Sequence, residues 1–338
     1  MQYKGPHMPS KAILLQELAS VSPNINKIRR ICRDNPGLIA ATGLRLRIWA
    51  LLLLGTDLKV VEEEVWLPNE NMTCSEQQVL DADLKRTRAE IDGFRTSEWQ
   101  LLLSSIMKNF CIDHGVDYKQ GMNEVCAPFV YLHPHISTGS VPFTLFEAFL
   151  FRYLERFFCL DDSSFLFKAF RMFSILLMYH DPELAICLEE NSYPPELYAP
   201  QWFLTMYSRT LALPLVLRLW DMMISVDDPA FSFFIGLSLL RRQREKILKT
   251  TSERIIEVLC TMQINGETDI DPLVIESWRM YKATPRCFTR NLRLCCVASP
   301  ELGPSPFHMF RDARKARLSA RSSNADSSSS SNASISFT

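Results

Sequence analysis

Residues 97–110, Ser97-Glu98-Trp99-Gln100-Leu101-Leu102-Leu103-Ser104-Ser105-Ile106-Met107-Lys108-Asn109-Phe110, set Trp99, Leu102, Leu103, Ile106 and Phe110 at helical spacing behind a serine. Apolar side chains three and four residues apart share one helix face, so the stretch predicts an amphipathic helix with Ser97 as its N-cap. The same pattern recurs outward from it. Asp181-Pro182 precedes Leu184, Ile186 and Leu188; Asp228-Pro229 precedes Phe231, Phe234, Ile235 and Leu239; Asp271-Pro272 precedes Val274, Ile275, Trp278 and Tyr281. Each Asp-Pro predicts a cap followed by a first-turn proline, whose missing N–H would have no partner there anyway. Few stretches alternate with period two, and no repeat of 20–50 residues occurs, which argues against a solenoid. Eleven glycines in 338 residues are few for a turn-rich sandwich. The fold class is therefore all-α: one large multi-helix domain with a continuous core from about residue 25 to 285.

Composition narrows the function. Thirty-seven basic residues face 38 acidic ones, a net charge of −1, which speaks against a dedicated nucleic-acid binder. With 47% hydrophobic and 22% charged residues, the chain can bury a sizeable core. None of the ten cysteines forms a C-x-x-C pair, and adjacent Cys295 and Cys296 do not suit a structural disulfide, so a reducing compartment is expected. Met1-Gln2-Tyr3-Lys4 has no acceptor glycine and is followed by no apolar h-region. The longest apolar runs, Ile48 to Leu54 and Phe231 to Leu240, fall short of the roughly 18 residues a membrane span needs. A soluble, cytoplasmic protein is expected.

The C-terminal end reads differently. Residues 319–338 hold ten serines, and Arg311, Arg314, Lys315 and Arg317 precede them. Such a segment buries too little to order itself, so a basic, serine-rich, disordered tail is expected over 286–338. Cys295-Cys296 beside Arg290 and Arg293, if acylated, would make it a weak or transient membrane anchor, which serine phosphorylation would release.

Most catalytic kits are absent: no glycine-rich phosphate loop, no H-E-x-x-H and no G-x-S-x-G occurs. His133-Pro134-His135 lacks a third metal ligand nearby and reads as a loop turn. Glu62-Glu63-Glu64 reads as a solvated loop face. Two stretches are more informative. In Leu80-Asp81-Ala82-Asp83-Leu84-Lys85-Arg86-Thr87, Asp83 and Arg86 are i,i+3 neighbours, so the carboxylate can hold the guanidinium. Taken alone, this is an ordinary surface ion pair. In Tyr118-Lys119-Gln120-Gly121-Met122-Asn123, an extended loop would point Tyr118 and Gln120 one way and Lys119 the other. Gly121 allows a sharp turn into a helix with a kink at Pro128. Alone, Gln120 reads as a loop residue capping that helix.

In this order the two stretches resemble the paired signatures of the TBC domain, the GTPase-activating module for Rab-type GTPases. Leu80, Asp83 and Arg86 match its I-x-x-D-x-x-R, and Tyr118, Gln120, Gly121 and Met122 match its Y-x-Q-G-M. Leu44-Arg45-Leu46-Arg47-Ile48-Trp49, His180-Asp181-Pro182-Glu183-Leu184, Trp202-Phe203-Leu204-Thr205 and Leu219-Trp220-Asp221 match further blocks in order. The resemblance spans about residues 36–285, with a helical extension over 1–35 ahead of it. It implies a GTPase activator for a GTP-bound Rab rather than an enzyme with its own pocket. Arg86 and Gln120 would be the catalytic arginine and glutamine fingers, supported by Asp83, Thr87, Tyr118, Gly121 and Met122. GTP and Mg²⁺ would be the partner's, the chain having no cofactor of its own, and recruitment to endomembranes for vesicle traffic would follow. Arg45, Trp49, Trp202, Trp220 and Asp221 would serve the fold, Asp221 through helix-end hydrogen bonds. The alternative is an inert Rab-binding scaffold using the same surface. Arg88-Ala89 depart from a pattern in which a proline often occurs nearby, and Lys119 adds a charge to the contact surface.

Overall fold

The computed structural model describes residues 8–63, 73–134, 139–159, 164–261, 264 and 266–297. Glu64, His135 and the basic, serine-rich stretch beyond Val297 lie outside them. No strand occurs among the described residues, and none of their helices is long and apolar enough to cross a membrane.

The body is built around helix Leu213–Val226, which packs on helices Ile25–Asp34, Arg45–Leu54 and Glu267–Ala283. It presents Trp220 to the core, where the indole stacks on Phe149 at 4.2 Å and lies 5.4 Å from Phe129 and 6.2 Å from Trp49. Trp49, Trp202 and Trp220 are buried. Aromatic rings bring large apolar area, and the indole N–H groups still need acceptors. Trp220 Nε1 donates to the Met206 carbonyl at 2.9 Å, and Trp49 Nε1 donates to Asp221 Oδ1 at 2.9 Å.

Asp221 differs from its expected helix-end role. It sits well inside helix Leu213–Val226, buried, and accepts Arg45 Nε at 2.9 Å and Nη2 at 3.0 Å. Burial pushes its carboxyl up, against the pull of Arg45. Helix boundaries shift for local reasons too. Thr96, not Ser97, caps the helix Ser97–His114 by accepting the Trp99 N–H at 3.4 Å. Asp181 does cap helix Pro182–Glu190 through the Leu184 N–H. Pro272, by contrast, lies inside helix Glu267–Ala283, and Asp271 pairs with Arg218. Asp228 accepts the Ala230 N–H, the Tyr281 hydroxyl and Arg293, so its role is a buried junction between helices.

The core begins near residue 25, as expected, and reaches further at its C-terminal end. Helix Ile25–Asp34 buries Ile28 and Cys32, and Arg29 donates to the carbonyls of Ile224 and Leu52, each at 2.8 Å. Residues 25–34 thus pack into the body. At the other end, Arg286–Cys296 is a helix against Ser164–His180 that buries Thr289, Leu292, Cys295 and Cys296 while Arg293 holds Asp228. The first part of the expected tail is therefore folded, because its apolar residues share one helical face.

Cys295 and Cys296 are 6% and 1% exposed, so the acylated-anchor reading loses its thiols. Burial pushes both thiols up, and the thiolate is the reactive form. Alkylation of the native protein at mildly alkaline pH is expected to modify Cys260 and Cys287, which are exposed, and to spare Cys126 and Cys296 until denaturant is added. Peptide mass mapping checks this. Cys296 modified as fast as Cys260 would mean that the last helix opens readily.

Candidate functional site

Helix Gln77–Arg86 ends because Thr87 leaves helical geometry, at φ −62° and ψ 113°. Its N–H still reaches the Asp83 carbonyl at 2.9 Å, and its hydroxyl donates to the same oxygen at 2.7 Å. The last turn points Asp83 inward, 1% exposed, and Arg86 outward, with 58% of its side chain exposed.

Asp83 is the hub of the site. Its Oδ1 accepts Arg86 Nε at 2.9 Å and Arg86 Nη2, and lies 3.5 Å from Gln120 Nε2. Its Oδ2 accepts the Tyr118 hydroxyl at 2.8 Å. The side chains of Arg86 and Gln120 thus converge on one carboxylate oxygen. The bond to Asp83 pushes the Arg86 guanidinium up, and burial, then the bond to Asp83, pushes the Tyr118 hydroxyl up. Arg86 stays a cation and Tyr118 a neutral donor.

Tyr118 is buried and Gln120 exposed, yet both side chains reach Asp83, so the two point the same way as expected. The chain turns at Gly121, φ +105°, into helix Met122–Leu132. A Cβ at Gly121 would also lie 3.4 Å from the Thr205 side chain, so glycine serves both the turn and the packing. Gln120 does not cap that helix. Asn123 does the local work instead: its Oδ1 accepts the Gly121 N–H at 3.1 Å and its Nδ2 donates to Thr87 Oγ1 at 2.8 Å. Met122 is buried, its sulfur 3.3 Å from the Lys119 N–H.

Asn123 joins the ends of the two motif helices, and the sequence reading missed it. Its only signal was its place just beyond the glutamine motif. Ser208 was missed as well, with no local signal. Pro128 has no N–H, so the Glu124 carbonyl four residues earlier loses its helical partner. The Ser208 hydroxyl donates to that carbonyl at 2.5 Å and docks its segment against helix Met122–Leu132. Among the described residues no cluster of three or more metal-ligating side chains occurs.

The family model for the Rab-GTPase-TBC domain matches residues 42–248. A TBC domain-containing protein kinase-like protein of Gallus gallus is 31% identical over 210 residues, 59% of this chain and 23% of that protein; its Homo sapiens counterpart gives the same figures. The Caenorhabditis elegans Rab GTPase-activating protein eat-17 is 25% identical over 183 residues, 54% of this chain and 20% of that protein. This chain spans about a quarter or less of the length of these relatives. Among solved structures, the Ypt/Rab-GAP domain of Gyp1p superposes with a TM-score of 0.68 at 16% identity, covering 82% of this chain and 99% of that domain.

Proposed function

This chain belongs to the Rab-GTPase-TBC domain family, and we propose that it is a GTPase-activating protein for Rab-type GTPases, working through an arginine and a glutamine supplied in trans. The observation that carries this reading is the convergence of Arg86 and Gln120 on Asp83 Oδ1, with both side chains at the surface.

Phosphoryl transfer needs charge neutralised and water placed more than it needs covalent help. Arg86 offers a planar cation to the oxygens of the transferring phosphoryl group, which a lysine ammonium cannot match. Gln120 carries one acceptor and two donors on its amide and orients the attacking water. Asp83 limits the swing of the guanidinium, and Tyr118 and Asn123 hold the loop behind Gln120. The partner brings GTP and its Mg²⁺, so this chain completes an active site rather than owning one. Its place of work would be the cytoplasmic face of endomembranes.

Single-turnover GTP hydrolysis by a panel of GTP-loaded Rab proteins tests the reading, with wild type run beside Gln120→Ala. Acceleration of one or a few Rabs, lowered about 10²-fold or more in the variant, is expected for a water-positioning group. Binding across the panel without acceleration would replace the activator with an inert Rab-binding scaffold.

A further inference from the structure

Two residues past Arg86 the chain does something that neither finger motif requires. Arg88 is buried, 6% exposed, and its backbone is left-handed at φ +49°. A long charged side chain is an unusual choice for both conditions.

The guanidinium reaches back into the protein. Nη1 donates to the Leu211 carbonyl at 2.9 Å and Nη2 donates to Ser208 Oγ at 3.0 Å. Nε faces Glu124 Oε2 at 3.3 Å without the alignment of a hydrogen bond, and Glu90 lies 3.6 Å from Nη1. Burial pushes the Arg88 guanidinium down and the Glu124 carboxyl up, and each is opposed chiefly by the other's charge.

These contacts close a ring. Arg88 follows the arginine helix, Glu124 lies in the first turn of the helix after Gln120, and Ser208 binds both Arg88 and the Glu124 carbonyl. Asp83 and Asn123 join the same two elements on the finger side, and Arg88 joins them from the other.

We propose that Arg88 is a positioning residue: through Ser208, Leu211 and Glu124 it locks the arginine helix and the glutamine loop into one register. The proposal rests on the reading of Arg86 and Gln120 as fingers offered to a GTPase. A buried ion pair is a poor source of stability, whereas its fixed geometry suits orientation. Lysine would not replace Arg88, because one ammonium cannot span Leu211 and Ser208 with a rigid fork.

The variants are Arg88→Gly, which keeps the left-handed backbone and removes only the fork, and the milder Ser208→Ala. Amide hydrogen exchange on the full chain is expected to rise about tenfold or more over residues 87–91, 120–124 and 208–211 and to stay unchanged over helix Phe231–Arg242. With a GTPase that the wild type activates, Arg88→Gly is expected to lower kcat about 30-fold or more while KM stays within about threefold. It should also lose the complex with the GDP–aluminium fluoride form while still binding the form loaded with a non-hydrolysable GTP analogue. Unchanged exchange over 120–124, or a uniform rise that includes Phe231–Arg242, would overturn the proposal. So would kcat retained in both variants. If the wild type activates no GTPase, the activator reading falls, and the exchange pattern still decides whether Arg88 couples the two segments.

Discussion

Arg86→Ala is expected to abolish most of the acceleration of GTP hydrolysis while leaving the protein folded and able to bind its GTPase. In related systems an arginine supplied in trans contributes about 10³–10⁵ in rate, which is roughly 4–7 kcal/mol of barrier. The structure separates that loss from unfolding. More than half of the Arg86 side chain is exposed, and Asp83 keeps Tyr118 and Gln120 as donors when Arg86 is removed. The stability change should therefore be small beside the loss of rate. Arg86→Lys sharpens the result: the ammonium can still reach Asp83 but offers no planar fork, so the rate should stay low. Single-turnover hydrolysis, run with a melting curve of each variant, checks both halves. Either variant within tenfold of wild type would remove Arg86 from the mechanism.

Asp221→Ala should show the opposite pattern, a large loss of stability that arises in the core. Asp221 is the shared acceptor of Arg45 and of the Trp49 indole, all within the core between helices Arg45–Leu54 and Leu213–Val226. Removing one member of a buried pair leaves the other uncompensated and is expected to cost about 3–5 kcal/mol. For a body of this size that lowers Tm by roughly 10 °C. Replacing both charges, as Arg45→Met with Asp221→Leu, should recover part of the loss, because no buried charge is then orphaned while the Trp49 indole N–H still lacks its acceptor. Calorimetry of the single and double variants checks this. A single variant that melts within about 2 °C of wild type would show that the site repairs itself with water.

Much of the site was legible because its key residues lie close together in the sequence. The Asp83–Arg86 pair follows from i,i+3 spacing, and the turn at Gly121 follows from the one residue type that takes φ +105° without strain. The burial of Tyr118 was not legible. Period-two alternation gives the shared direction in which Tyr118 and Gln120 reach Asp83, but not that packing covers the ring and leaves the amide exposed. Arg88 drew notice only as a departure from a family pattern, since burial and a left-handed backbone leave no mark on residue type.

The sequence by itself determined the main helices, the Asp181 cap and the pairing of an arginine motif with a glutamine motif. These depend on neighbours within one or two helical turns, where spacing and capping chemistry act. Only the tertiary structure decided that Arg45 and Trp49 share Asp221 across more than 170 residues. It alone joined Tyr118 to Asp83, Ser208 to the carbonyl that Pro128 frees, and the helix Arg286–Cys296 to the body. Those contacts form when distant segments lose water against one another, and which buried donor then meets which acceptor is set by packing rather than by any local period.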